Sequence, residues 1–111
     1  MLNITSQQFF LYSRPVKMHK SFEGLSALVQ HEFPGELYTG AYFIFLNKSC
    51  KCMKVLVWDG DGYAIYYKRL EKGRFLVDSN AKCNLTRREF LMLFEGIEPV
   101  RLDKRFSLEK Q

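Results

Sequence analysis

The sequence lacks most of the features that mark specialised classes of protein. It has no run of about 18 apolar residues, and its longest apolar stretch is Ala41–Leu46, so no segment is expected to cross a bilayer as a helix. The opening Met1-Leu-Asn-Ile-Thr-Ser-Gln-Gln8 has no basic region followed by an apolar run, so no secretory signal is visible and a cytosolic location is expected. Only three cysteines are present. That number is odd, and Cys50 and Cys52 lie too close for a relaxed bridge, so reduced thiols are expected. There is no internal repeat and no interdomain linker. The 111 residues are therefore expected to form one domain, 1–111, with an ordered core over about 9–98 and a loosely held, polar and basic tail over 100–111.

Signatures of catalysis are missing as well. Gly60 and Gly62 do not make a phosphate-binding loop, which needs G-x-x-x-x-G-K-[ST] opening a helix. No serine sits in a G-x-S-x-G elbow, and no Cys/His pair carries a local nucleophile signature. Cys50-Lys-Cys52 has C-x-C spacing where structural zinc sites use C-x₂₋₄-C, which argues against a zinc set completed by Cys83 and His19 or His31. Asp59 and Asp61 are the closest paired carboxylates in a structured context. Asp and Gly at a hairpin tip are demanded by backbone geometry, whereas a two-metal nuclease needs further carboxylates converging from other elements. No enzyme, catalytic residue, metal or cofactor is expected.

What is present is a dense supply of core formers. Hydrophobic residues make up 47% and aromatics 15%, with ten Phe and six Tyr. Each large ring buries roughly 150–250 Å², enough for a chain of this length to build a core without staples. Phe9–Ser13 reads as a strand or extended arm ended by Arg14-Pro15. Ser21 stands at a helix N-cap, Glu23 in the first turn, and Phe22, Leu25, Val29 and Phe33 recur at helical spacing until Pro34-Gly35, predicting a helix over about Phe22–Phe33. Tyr42–Leu46, Met53–Trp58 and Tyr63–Arg69 read as consecutive antiparallel strands, and Arg74–Val77 as a fourth after the turn Glu71-Lys-Gly73. Thr86-Arg-Arg-Glu89 is a capping box, with Leu85 and Phe90 spaced as a hydrophobic staple. The helix it opens has one apolar face made of Phe90, Leu91, Leu93, Phe94 and Ile97 and stops at Gly96 and Pro99. The expected fold is α+β: an antiparallel β-meander of four or five strands with two flanking helices. Alternation leaves neither face of the strands plainly polar, so both must be covered, by a helix on each, by the N-terminal arm, or by a second copy of the chain.

The charge is positive. Lys and Arg number 17 against 12 Asp and Glu, a net +5. The basic residues lie in short groups interleaved with aromatics, a pattern equally compatible with a polyanion surface and with plain solvation.

Four segments carry a resemblance: Met18-His-Lys-Ser-Phe-Glu-Gly-Leu25, Val57-Trp-Asp-Gly-Asp-Gly-Tyr63, Tyr67-Lys-Arg-Leu-Glu-Lys-Gly-Arg-Phe75, and Leu85 through Ile97. Together the sequence resembles the TnpB accessory protein, the second open reading frame, of bacterial insertion sequences of the IS66 family. The resemblance runs from about Arg14 to Glu98. It implies a small protein encoded within a transposable element and required beside a separate transposase, with no established enzymatic activity. Participation in DNA transposition is implied, through contact with DNA at the element ends, with the transposase, or both. Relatives commonly carry M-R-K where this chain has Met18-His19-Lys20, and an Arg-rich loop where it has Leu46-Asn-Lys-Ser-Cys-Lys-Cys52. Fewer guanidinium forks imply a weaker grip on phosphate here.

The leading expectation is therefore a non-enzymatic transposition factor with Lys17, Lys20, Lys54, Lys68, Arg69 and Arg74 as phosphate contacts. Lys68 and Arg69 are adjacent on a strand and should point to opposite faces. The alternative is a protein-interaction module without direct DNA binding, docking on the transposase through Tyr63, Tyr66 and Tyr67 or the outer side of the second helix.

Overall fold

The computed structural model describes residues 8–77 and 83–95. Seven elements follow in order: β1 (Phe9–Leu11), α1 (Phe22–Glu32), β2 (Tyr42–Leu46), β3 (Cys52–Trp58), β4 (Tyr63–Arg69), β5 (Asn84–Leu85) and α2 (Arg87–Phe94). The strands make one open sheet in the order β4-β3-β2-β1-β5. The α+β class with two flanking helices is as expected. β2, β3 and β4 form the antiparallel meander, but β1 runs parallel to β2, pairing Phe9 with Tyr42 and Leu11 with Ile44. Parallel neighbours need a crossover of a dozen or more residues, and α1 supplies it.

Alternation divides the side chains between two cores. On one face Phe9, Leu11, Tyr42, Ile44, Met53, Val55 and Val57 meet Phe90 and Leu93 of α2. On the other, Phe10, Phe43, Phe45 and Leu56 meet Leu25 and Val29 of α1. Each helix covers one face, which explains why the central strand β2 reads as an unbroken apolar run with all five residues buried. Burying one such side chain stabilises by about 1.5–3 kcal/mol.

The local signals act as their chemistry requires, with two exceptions. At α2 the Glu89 amide donates to the Thr86 hydroxyl at 3.0 Å and the Thr86 amide to the Glu89 carboxylate at 2.7 Å, completing the capping box. At the β3–β4 hairpin the Asp59 amide donates to the Gly62 carbonyl at 2.8 Å, and Gly60 alone of the four turn residues has positive φ, +87°. Glycine at the first central position is the pattern of a type II′ turn, whose twist matches the strands it joins. The first exception is Ser21, which stands at the N-cap of α1 but contributes its carbonyl rather than its hydroxyl.

The second exception is Arg74–Val77, which is not a strand. Leu70 donates its amide to the Lys51 carbonyl at 2.9 Å, and Gly73, at φ +72°, turns the chain back so that the Phe75 amide reaches the Cys50 carbonyl at 2.6 Å. Phe75 is then a plug, 1% exposed, in the core beneath α2. β1 and β5 take the sheet positions that a longer meander would have filled. The expected helix stop at Gly96 and Pro99 and the tail 100–111 lie outside the described residues. No described helix is long and apolar enough to cross a membrane.

Candidate nucleic-acid interface

Register assigns the basic residues to places. The turn Asn47–Lys51 joins β2 to β3 at one end of the sheet, and Arg69 ends β4 at the same end, opposite Cys52. Asn47 organises this turn by accepting the amides of Lys51 and Cys52 on its side-chain oxygen, at 3.1 and 3.0 Å, while Cys50 takes positive φ, +59°. The bond from Phe75 to Cys50 brings Arg74 alongside, and the bond from the Val16 amide to the Leu46 carbonyl, 2.8 Å, brings Lys17. Lys17, Lys48, Lys51, Arg69 and Arg74 are all exposed. A groove of about 570 Å³, lined in part by Lys17, Lys48, Cys52 and Tyr67, opens between the Pro15–Met18 segment and the turn. Among the described residues only Arg69 of this group meets a carboxylate, Glu71 at 3.5 Å. That pair is exposed on both sides and is worth about 0–1 kcal/mol.

The remaining expected contacts are placed differently. The Lys54 ammonium donates to the Lys20 carbonyl at 2.8 Å and lies 5.3 Å from the Tyr67 ring centre, binding β3 to the turn before α1. Lys20 is half-buried there. Lys68 points to the other face, as alternation requires. Its ammonium donates to the Phe94 carbonyl at 2.6 Å, over the Phe94 ring at 4.6 Å. A cation at the C-terminal carbonyls of α2 complements the helix dipole. The six expected residues therefore do not share one surface: Lys17, Arg69 and Arg74 gather with Lys48 and Lys51, while Lys54 and Lys68 hold elements together. Lys48 and Lys51 belong to this end although the expectation did not name them as contacts. Their position at a hairpin tip was the available signal.

The opposite end of the sheet differs in character. Trp58 and Tyr63 face each other across the hairpin at 5.1 Å between ring centres, Tyr38 packs edge-on to Trp58 at 5.0 Å, and Phe22 stacks on Tyr63 at 6.1 Å. Phe22 is 42% exposed and Tyr38 60% exposed, and Asp59 and Asp61 border them. The bond between the Tyr63 and Tyr38 hydroxyls, 3.3 Å, raises the Tyr63 pKa. At the basic end, hydrogen bonding with the Cys52 side chain raises that of Tyr67. Among the described residues no three His, Cys, Asp or Glu side chains lie together as a metal would need.

A family model described as IS66 Orf2 like protein matches residues 7–104. Over 95 residues the chain is 28% identical to "Uncharacterized protein y4jC" of Sinorhizobium fredii (strain NBRC 101917 / NGR234), an alignment covering 84% of this chain and 81% of that one. No solved structure matches the chain.

Proposed function

The chain belongs to the IS66 Orf2-like family, and from that premise we propose that it is a non-enzymatic accessory factor of insertion-sequence transposition that holds DNA with the basic end of its sheet. The family carries the transposition-associated role. The DNA contact rests on one observation, the gathering of Lys17, Lys48, Lys51, Arg69 and Arg74 where the only described carboxylate partner is the exposed Glu71. Such side chains neutralise phosphates and release condensed counterions. They stand on turns and on a strand end, while both helices are packed on the sheet, so the contacts position a duplex and leave the choice of sequence to the transposase. The work takes place in the bacterial cytoplasm, where the element's DNA lies.

Fluorescence anisotropy with a labelled duplex, titrated across salt, tests this reading. Lys17→Ala, Arg69→Ala and Arg74→Ala should each lower the salt slope by about 0.9, and should weaken element-end and unrelated duplexes alike. Absence of binding even at low salt refutes it. The aromatic group around Trp58 and Tyr63, exposed beside two aspartates, favours a second reading in which that end docks on the transposase. Co-purification that survives nuclease treatment supports this second reading, and loss of the complex after nuclease returns the contact to DNA.

A further inference from the structure

Strand β4 is a sheet edge, and its bonding parity can be read from two contacts. The Asp59 amide meets the Gly62 carbonyl and the Leu70 amide meets the Lys51 carbonyl, so the hydrogen-bonded pairs with β3 fall at Gly62, Ala64, Tyr66, Lys68 and Leu70. The backbone N–H and C=O groups of Tyr63, Ile65, Tyr67 and Arg69 therefore point away from β3, and among the described residues none of them has a backbone partner. A seven-residue edge whose outward groups have no partner among the described residues invites another strand. Tyr66 and Tyr67, 40% and 55% exposed, stand on its two faces.

We propose that this edge pairs antiparallel with β4 of a second copy of the chain, with the two-fold axis at Tyr66. That register places Ile65 opposite Tyr67 and Tyr63 opposite Arg69 of the other copy, so all the outward groups bond at once, and a shift by two residues leaves some of them unpaired. Side chains match across it. Arg69 meets the face of a tyrosine, Lys68 meets Ala64, Tyr66 meets its own copy, and no like charges stand opposite each other. The same residues on both sides make the contact isologous, as a closed dimer requires.

Sedimentation velocity on the full chain should give twice the 13.1 kDa chain mass. Ile65→Pro removes one outward N–H without touching the ladder to β3, and should return the protein to monomer with its far-UV circular dichroism retained. In a Cys83→Ser background, Tyr66→Cys should crosslink to its own copy under mild oxidation, because residues facing each other at a non-hydrogen-bonded pair are close. Ala64→Cys, which faces Lys68 of the other copy, should not crosslink. This pair decides the matter even if the proline variant fails to fold. A monomer across the micromolar range overturns the proposal. A dimer that crosslinks no better through Tyr66→Cys than through Ala64→Cys overturns it too. Neither assay contains DNA, so the result is independent of the nucleic-acid reading.

Discussion

Lys68 separates stability from binding more cleanly than any other basic residue, and Lys68→Met is the informative change because it keeps the aliphatic stem and deletes only the charge. The lost contact is a charged hydrogen bond of 2.6 Å to the carbonyl of Phe94, the last residue of α2. Hydrogen bonds to charged groups contribute about 1.5–3 kcal/mol, and a cation at a helix C-terminus about 0.3–1 kcal/mol. These describe one interaction and are not summed. Water can reach the half-buried site and partly replace the ammonium, which brings the expected loss to about 1–2 kcal/mol. For a domain of this size the thermal midpoint moves about 4–8 °C per kcal/mol, so the variant should melt several degrees lower by calorimetry. Its DNA titration should keep the wild-type salt slope, since the ammonium is engaged on the face covered by α2. An unchanged melting temperature together with a slope lowered by about one unit would show that Lys68 serves DNA, and the reasoning from its geometry would be wrong.

Three further changes probe the fold. Phe90, stacked on Phe9 at 4.7 Å and 3% exposed, should cost about 3–5 kcal/mol as Phe90→Ala, a large part of the stability of a small domain, measurable by urea unfolding. Thr86→Ala should cost about 1 kcal/mol, and because Thr86 and Glu89 each satisfy the other's amide, the double variant with Glu89→Ala should cost less than the two single losses added. The Tyr42 hydroxyl is buried with no partner among the described residues, so Tyr42→Phe should leave stability unchanged or raise it. Burial first, then the nearby Tyr66 and Asp59, raise the Tyr42 pKa above 10.0, so its contribution is whole below that pH and is lost as pH climbs through the folded value. Urea unfolding above pH 10.0 should therefore show a smaller alkaline decline in Tyr42→Phe than in the wild type.

What was legible in the sequence depended on whether a signal was local. The capping box at Thr86 and the Asp59–Gly62 turn involve neighbouring residues whose backbone chemistry admits few alternatives, and both are present as read. The two-sided apolarity of the strands required a cover on each face, and of the covers it left open the structure uses a helix on each. The parallel β1–β2 pair was missed because strand direction depends on a crossover some thirty residues long. The spacing of two apolar runs around α1 was its only trace. β5, at two residues, is too short to show any period. Arg74–Val77 has the composition of a strand, yet Phe75 fills the core beneath α2 and its neighbours are left without a ladder. The basic residues were visible as types. Which of them face solvent together depends on register, and register placed Lys54 and Lys68 against carbonyls.

The position of β1 bears on how the molecule is made. This strand is translated first, yet it lies between β2 and β5, and its pairing of Phe9 with Leu85 spans most of the chain. Until the ribosome has released Leu85, one side of β1 has nothing to bond to, and α2 cannot roof the sheet. The nascent chain must carry Phe9, Phe10 and Leu11 unfinished until Leu85 has been made. Folding should therefore be a late, single event that depends on contacts far apart in sequence, and a message truncated before that codon should yield protein that cannot complete its sheet.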